Sequence, residues 1–291
     1  MRPRHIVMGT GVSGIPNIPD IPSLQDFAGK VLHSSQYRDG EDWQAKRAIV
    51  IGTGNSGHDI AQDLWSSGAE VTLIQRGPSM VVNIEPSAQL AYALYDEGPP
   101  LEDCGLIAAS MPFALARKSH IMLTEQGRTL DRPLLDALER VGFRLDFGAD
   151  GSGWQFKYLE RGGGYYFNVG CSDLIAERKI ALVQFADIER FVTAGARMRN
   201  GELIPADLVV LSTGYKTQDH LVRKLFGDAV AARVGPIWGF DEGQELRNTY
   251  TVAYYPTNSR RDGTIRPVRI QLKNPKYQVR GRSSYFVPKE E

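Results

Sequence analysis

A glycine-rich turn between an apolar run and a helical pattern restricts the fold of this chain more than any other feature. Residues 48–51 form a short apolar run suited to a strand covered on both faces, and the sequence GTGNSG follows at residues 52–57. Residues 58–65 have helical spacing, Gly68 ends that helix, and residues 71–74 form a second apolar run. This order predicts a Rossmann-type unit in an α/β fold.

The spacing of the three glycines gives each of them a separate expected role. Gly52 permits the tight turn, Gly54 lets the backbone approach a pyrophosphate, and Gly57 lets the helix and the strand pack together. Free N–H groups and the helix dipole at the start of the helix favour a phosphate anion. The alternative is a structural turn without a ligand. We predict that a dinucleotide pyrophosphate binds at Gly52, Thr53, Gly54, Asn55, Ser56 and Gly57.

The end of the second predicted strand indicates which dinucleotide would bind. NAD sites usually place Asp or Glu there to accept the ribose hydroxyls, whereas this chain has Gln75 and Arg76. Arg76 could donate paired hydrogen bonds to a 2′-phosphate. The pattern therefore favours NADPH over NADH, and a solvated surface arginine is the alternative.

The composition weakens several other functional classes. The chain has 291 residues with 34 basic and 34 acidic side chains, so no net charge attracts it to nucleic acid or to an anionic membrane. Cys104 and Cys171 form no CxxC pair, and we expect two buried structural thiols in a reducing compartment. The five histidines lack metal-ligand spacing, so we predict no metal site. Without a signal peptide or a membrane-length apolar run, a soluble, cytoplasmic protein is expected.

Further segments organise the rest of the chain. We predict strands at residues 6–8, 180–183 and 206–211, a helix around residues 134–141, a hairpin at Asn200-Gly201, and a loop at residues 162–164 before an aromatic segment. Within that segment, Tyr165 and Tyr166 are expected to be core residues, with a substrate channel as the alternative. Residues 251–291 contain nine Lys or Arg and three Asp or Glu, which favours a disordered tail over a nucleic-acid arm.

Two motifs resemble those of the flavin-containing monooxygenase family. Phe27, Gly29, His33, Tyr37 and Arg38 match the fingerprint FxGxxxHxxxY(K/R), and the related Baeyer–Villiger enzymes usually carry Trp at the Tyr37 position. The fingerprint directly precedes the glycine turn, which Asp59 completes as GxGxSGxD. By this resemblance His33 helps to shape the cofactor and interdomain region, and a structural histidine is the alternative. We expect His58, next to Asp59, to be a solvated helix residue.

Two further glycine turns and one loop extend the resemblance. The sequence at residues 212–215 resembles the family's late ATG turn, with Ser in place of Ala, and the sequence at residues 8–11 resembles its earlier ATG turn. Residues 162–170 resemble bacterial and fungal relatives of the plant YUCCA enzymes. The resemblance as a whole covers about residues 5–250. By it, a FAD-binding or interdomain role is expected for Thr10, Gly11, Thr213 and Gly214.

The resemblance implies a two-dinucleotide architecture in which an NADPH domain is inserted into a split, incomplete FAD domain. Residues 1–42 and 204–250 would belong to the FAD domain, residues 43–203 to the NADPH domain, and residues 251–291 to an atypical tail. NADPH would reduce the flavin, which would take up O₂ as a C4a-hydroperoxide. The expected substrate is a small molecule, either a nitrogen or sulfur nucleophile or an aromatic 2-oxo acid.

Both ends of the chain depart from the family pattern. The family begins with its own GxGxxG turn for FAD, and no such turn precedes residue 6. The basic tail also lacks the family's final segment. We therefore expect an N-terminally truncated member. A non-catalytic NADPH-binding fragment is the alternative, as is a different flavin reductase, although the missing CxxC pair argues against the disulfide-reductase kind.

Overall fold

The computed structural model describes residue 9, residues 11–240, residues 265–267 and residues 284–286. The chain divides into two compact units, Met1–Tyr250 and Thr251–Glu291. The strand predicted at residues 6–8 lies outside the described residues, as do Thr10 and most of the basic tail.

The first unit contains twelve described strands and nine described α-helices. The strands are β1 (Ile15–Pro16), β2 (Lys30–His33), β3 (Arg47–Ile51), β4 (Glu70–Gln75), β5 (Met80–Asn83), β6 (Tyr165–Asn168), β7 (Ala181–Gln184), β8 (Ile188–Val192), β9 (Gly195–Met198), β10 (Leu203–Pro205), β11 (Leu208–Leu211) and β12 (Tyr215–Lys216). The helices are α1 (Asn55–Ser66), α2 (Ala93–Glu97), α3 (Leu101–Ser110), α4 (Phe113–Leu130), α5 (Arg132–Arg140), α6 (Gly153–Arg161), α7 (Cys171–Ala176), α8 (Gln218–Phe226) and α9 (Asp228–Val234). In the second unit, β13 (Ile265–Pro267) pairs with β14 (Ser284–Phe286) in antiparallel orientation.

The central sheet of the first unit has five parallel strands in the order β2-β11-β3-β4-β7. From β3 the chain passes through α1 to β4 and later reaches β7. It then returns to β11 on the other side of β3. The α/β fold with a parallel sheet is therefore confirmed, and the chain changes direction across the sheet between β3 and β11. Ligands of open α/β sheets bind at such a switch point.

The alternating side chains of β3 explain why this strand lies at the centre. Ala48 and Val50 pack into the core that also contains the buried face of α1, while Ile49 and Ile51 pack into the core on the opposite face of the sheet. Successive strand residues point to opposite faces, so a continuous apolar run is buried on both sides. The predicted strand at residues 48–51 is confirmed as β3.

Helix α1 covers one face of this sheet through a single apolar stripe. Ile60, Ala61 and Leu64 are buried, as the helical spacing predicts. The helix ends at Ser66, and Gly68 adopts a left-handed conformation with φ of 88°. The predicted helix and its glycine stop are both confirmed.

Smaller sheets complete the first unit. Strands β8, β9 and β10 form an antiparallel meander, and the predicted hairpin signal Asn200-Gly201 lies in the turn between β9 and β10. Strands β5 and β6 pair in parallel, and β1 pairs with β12 in antiparallel orientation. Tyr165 and Tyr166 of β6 are buried, which confirms the prediction of an aromatic core.

The sequence of residues 78–127 has no clear hydrophobic period, but the structure contains α2, α3 and most of α4 there. Cys104 is the one buried residue of α3, and Thr124 and Gly127 are the two buried residues of α4. Because so few positions face a core, no apolar stripe marks these helices in the sequence. None of the helices in the described ranges is long and apolar enough to cross a bilayer.

The proposed division into domains remains a prediction. Strand β2 comes from the predicted FAD segment 1–42 and β11 from the predicted return segment 204–250, yet both are hydrogen-bonded into the sheet that contains β3 and β4. Any FAD domain built from these segments would therefore share backbone structure with the predicted NADPH domain.

Candidate functional site

Three adjacent strand ends meet at the switch point of the central sheet. Gly52 follows β3, Ser212 follows β11, and His33 is the last residue of β2. The amide of Ser212 donates to the carbonyl of Ile51 at 2.9 Å, and the amide of Gly52 donates to the carbonyl of Ile74 at 3.0 Å. The parallel ladder thus continues into the glycine turn and fixes its position against both neighbouring strands.

Two glycines of the turn are required by the chain's own packing. Gly52 has φ of +122°, and a β-carbon there would overlap the carbonyl oxygen of Ser212. A β-carbon at Gly57 would overlap the carbonyl oxygen of Gly52. The close approach of helix and strand at these positions agrees with the roles expected for the first and third glycines.

Gly54 differs, because nothing within the chain requires a glycine there. Its φ is −90°, which any residue can adopt, and the nearest atom to an added β-carbon would be the carbonyl oxygen of Tyr165 at 3.9 Å. The space above Gly54 is therefore open at the N-terminus of α1. A pyrophosphate that contacts this backbone would fill the space a β-carbon would occupy, so the turn fits a dinucleotide.

The remaining turn residues divide between structural and exposed positions. Thr53 is buried, and its hydroxyl lies 2.7 Å from the hydroxyl of Ser79. Asn55 accepts a hydrogen bond from the amide of Phe167 at 3.0 Å, which ties the start of α1 to β6 and leaves the Asn55 amide group as a donor. Ser56 is exposed. Thr53 could therefore donate a hydrogen bond to a phosphate only from its backbone amide. Asn55 and Ser56 could donate from their side chains as well.

His58 was expected in solvent, and this expectation was wrong. The side chain is fully buried, with its ring stacked on Tyr166 at a centroid distance of 3.9 Å and an interplanar angle of 3°. Its Nδ1 lies 3.1 Å from the carbonyl oxygen of Gly54, and Nε2 has no partner among the described residues. Burial lowers the pKa of His58 to about 4. The neutral ring therefore donates from Nδ1 to the glycine turn.

At the end of β4, a residue with a buried amide side chain is followed directly by an exposed arginine. Gln75 is fully buried and holds the backbone of Arg144 with both ends of its amide group. Arg76 is exposed and makes no hydrogen bond or ion pair with any residue in the described ranges. Because both ends of the Gln75 amide group are already hydrogen-bonded within the protein, Arg76 is the one of these two residues whose side chain can reach a bound ligand.

The first two fingerprint residues belong to the packing of the sheet. Phe27 is buried in the core opposite α1. A β-carbon at Gly29 would lie 2.6 Å from the carbonyl oxygen of Asp207, which precedes β11. Gly29 thus lets the chain entering β2 approach β11 closely.

The later fingerprint residues connect β2 to the site. The amide of Ser35 donates to Nδ1 of His33 at 3.1 Å, so Nε2 is the ring nitrogen that donates to the carbonyl oxygen of Gly214 at 3.0 Å. Tyr37 donates to Asp63 of α1 at 2.6 Å. Arg38 is exposed. His33 and Tyr37 fix the segment after β2 against the glycine turns, which favours the structural alternative for His33.

The predicted FAD-binding or interdomain residues lie around the end of β11. Thr213 donates through its hydroxyl to the carbonyl of Asn17 at 2.6 Å, and the amide of Asn17 donates to the carbonyl of Gly214 at 2.9 Å. Gly214 has φ of 78°, which confirms the predicted turn. Gly11 is exposed, and its carbonyl accepts a hydrogen bond from Gln218 at 2.7 Å. Thr10 is outside the described residues.

Ser212 holds a buried hydroxyl with no hydrogen-bond partner in the described part of the chain. A β-carbon added at Gly52 or at Gly57 would lie 3.5 Å from the β-carbon of Ser212. An orphaned polar atom thus lies buried beside the glycine turn at the switch point.

Both cysteines are free and buried, as predicted. Burial raises the pKa of Cys171 to about 12, so its thiol stays protonated and weakly nucleophilic.

The chain is similar in sequence to several known proteins. A family described as "Pyridine nucleotide-disulphide oxidoreductase" matches residues 1–95. Indole-3-pyruvate monooxygenase YUCCA1 of Oryza sativa subsp. japonica is 31% identical over 218 residues, which are 74% of this chain and 47% of that protein. FAD-containing monooxygenase EthA of Mycobacterium tuberculosis (strain CDC 1551 / Oshkosh) is 27% identical over 237 residues, 79% of this chain and 44% of that protein. The chain thus spans about half the length of these relatives.

One solved structure has a similar fold. The closed crystal structure of cyclohexanone monooxygenase superposes with a TM-score of 0.50 at 16% sequence identity, covering 74% of this chain and 47% of that one. The similarity supports an α/β fold with a parallel sheet.

Proposed function

Because the chain belongs to the flavin-containing monooxygenase family, we propose that it acts as an NADPH- and FAD-dependent monooxygenase that oxygenates a small organic molecule with O₂. NADPH would bind at the turn formed by Gly52, Thr53, Gly54, Asn55, Ser56 and Gly57, with Arg76 at its 2′-phosphate.

The open space at Gly54 is the observation that carries the proposal. Neither the backbone angle nor a neighbouring atom explains a glycine at this position in the chain alone. The amides at the N-terminus of α1 and the helix dipole favour an anion at the same place. A pyrophosphate accounts for both features, whereas a purely structural turn accounts only for Gly52 and Gly57.

The flavin would bind on the far side of the switch point, beside Gly11, Thr213 and Gly214. Bound FAD would supply the oxygen chemistry and NADPH would supply the hydride, while the protein orients the two groups and excludes water. In this arrangement residues 43–203 form the NADPH domain. Segments 1–42 and 204–250 contribute β2 and β11 to its sheet before entering the FAD domain.

The proposed substrate class follows from the names of the relatives. The rice relative is an indole-3-pyruvate monooxygenase, which favours an aromatic 2-oxo acid. A soft nitrogen or sulfur nucleophile is the other candidate, because oxygenation in such a site depends on access to the flavin more than on dedicated substrate residues.

The NADPH proposal is tested by calorimetric titration of NADP⁺ into the wild type and two glycine variants. Gly54→Ala adds a methyl group where the pyrophosphate would lie, and Gly105→Ala adds one in α3 where the chain also leaves open space. We expect Gly54→Ala to weaken NADP⁺ binding at least about tenfold and Gly105→Ala to leave it unchanged. Equal affinities for all three proteins would contradict the proposed site.

The flavin proposal has a separate readout. We expect the purified chain, mixed with FAD and passed over a desalting column, to retain a stoichiometric flavin absorbance and to consume O₂ when NADPH is added. A colourless protein that still binds NADP⁺ would favour the alternative of a non-catalytic NADPH-binding fragment.

A further inference from the structure

A second cation is fixed beside the end of β4, 69 residues further along the chain. The buried amide of Gln75 accepts a hydrogen bond from the backbone amide of Arg144 at 2.8 Å and donates to the backbone carbonyl of the same residue at 3.0 Å. Ser79 adds a third bond, from its amide to the Arg144 carbonyl at 3.1 Å. The backbone of Arg144 is therefore held next to Gln75, the residue that immediately precedes Arg76.

The side chain of Arg144 is directed outward by its neighbours. Phe143 is buried in the core beneath α1, and Leu145 packs against the same core. Leu145 also pairs with Ser79 in a parallel bridge, so this stretch is extended and its side chains alternate. Arg144 lies between the two core residues and is exposed.

Neither arginine at this edge is occupied by an internal partner. Arg76 and Arg144 form no side-chain hydrogen bond and no ion pair within the described ranges. Asp146, the nearest carboxylate after Arg144 in sequence, is already bound by Lys157 and lies 3.8 Å from Arg161. Two uncompensated guanidinium groups therefore face solvent at the strand end where a Rossmann fold binds the adenosine ribose.

On the premise of the NADPH site proposed above, we infer that Arg144 binds the 2′-phosphate of NADPH together with Arg76 and so determines the preference for NADPH over NADH. A phosphate monoester carries close to two negative charges at neutral pH and offers three acceptor oxygens. Two guanidinium forks match that charge and geometry better than one. Gln75 contributes indirectly, because its amide group holds the Arg144 backbone in place.

The test measures affinities for NADP⁺ and NAD⁺ by calorimetry in the wild type, Arg144→Ala, Arg76→Ala and Arg140→Ala. Arg140 is the matched control, since it is an exposed arginine on the neighbouring helix α5 whose side chain bonds its own helix carbonyl at Asp136. We expect Arg144→Ala to weaken NADP⁺ binding about tenfold or more and NAD⁺ binding less than about twofold. Arg140→Ala should change neither.

A smaller probe isolates the phosphate contact. Adenosine 2′-monophosphate carries the 2′-phosphate without the pyrophosphate, and adenosine 5′-monophosphate lacks the 2′-phosphate. Arg144→Ala should weaken the first ligand and leave the second unchanged, and Arg144→Lys should restore only part of the loss.

The outcomes separate this inference from the proposal on which it rests. If the wild type prefers NADP⁺ but Arg144→Ala behaves like Arg140→Ala, the inference fails and the NADPH site stands. An equal loss for NADP⁺ and NAD⁺ in Arg144→Ala would also overturn it, because a 2′-phosphate contact cannot affect NAD⁺. A wild type that binds neither dinucleotide would overturn both.

Discussion

The ring of His58 holds the carbonyl group of Gly54, four residues before it, with 3.1 Å between Nδ1 and the oxygen. The same carbonyl accepts bonds from the amides of Gly57 and His58, each at 3.1 Å. Because the carbonyl oxygen points into the helix, the amide of Asn55 in the same planar peptide points out of its N-terminus. His58 thereby orients an N–H group toward the open space where the pyrophosphate is proposed to bind.

We predict that His58→Phe weakens NADP⁺ binding. Phenylalanine can keep the ring stacked on Tyr166 but cannot donate to Gly54, so the turn loses one hydrogen bond. Such a bond contributes about 0.5–1.5 kcal/mol, which corresponds to roughly a two- to tenfold increase in the dissociation constant measured by titration calorimetry.

Two controls accompany this variant. His58→Asn retains a donor near the position of Nδ1 and should recover part of the affinity. Adenosine 2′-monophosphate, which has no pyrophosphate, should bind equally well to the wild type and to His58→Phe. Weaker binding of this small ligand would show that the substitution disturbs the whole site.

Acid should destabilise the fold through the same histidine. Burial lowers the pKa of His58 to about 4, below its ordinary value of 6.5. Between these two values the unfolded chain binds a proton that the folded chain does not, so stability falls as the pH drops from about 6.5 to about 4. The expected loss from His58 is about 3 kcal/mol in the free energy of unfolding.

Urea denaturation at several pH values across this window checks the prediction. His120 also has its pKa lowered by burial, so the wild-type profile alone does not isolate His58. The comparison of interest is with His58→Phe, whose stability should depend less steeply on pH. Parallel profiles for the two proteins would count against a neutral, buried His58.

The last glycine of the turn should respond to alanine differently from the middle one. Gly57→Ala places a methyl group against the carbonyl of Gly52. The backbone must shift to remove this overlap, and the shift should lower the free energy of unfolding by about 1–3 kcal/mol. Gly54→Ala has room and should leave the melting temperature unchanged. If thermal denaturation finds both variants equally stable, the close approach of α1 to β3 is in doubt.

Tyr37 of the fingerprint is expected to act on stability rather than on binding. Its hydroxyl donates to Asp63 at 2.6 Å, and burial together with that carboxylate raises the pKa of Tyr37 well above its usual value. Tyr37→Phe should cost about 1 kcal/mol in urea denaturation and leave the NADP⁺ affinity within about twofold of the wild type. A larger loss of affinity would indicate that Tyr37 contributes to the cofactor site.

The unit from β3 to β4 could be predicted because its signals are local. The apolar run, the glycines at residues 52, 54 and 57, and the stripe of Ile60, Ala61 and Leu64 all lie within about 25 residues. Each follows a rule of strand or helix periodicity. The order of the five strands could not be read in this way, because β11 joins β3 from a position about 160 residues later.

His58 and Arg144 were missed for different physical reasons. His58 lies three residues before Ala61 on the buried face of α1, so its spacing did carry a signal, but a polar residue type favoured solvent. Its burial depends on Tyr166, which stacks on the ring from a distant strand. Arg144 is positioned by a side-chain contact with Gln75 across 69 residues, and no local pattern predicts such a contact.

The position of β11 between β2 and β3 has a consequence for how the chain emerges from the ribosome. Strands β2 and β3 are translated early but do not pair with each other, and the strand that joins them follows after well over a hundred residues. In a nascent chain, β2 and β3 must therefore stay unpaired with each other until β11 has been synthesised. If β2 paired directly with β3 before then, the chain would be trapped with a four-stranded sheet. Chaperones that shield exposed strand edges should therefore raise the yield of native protein.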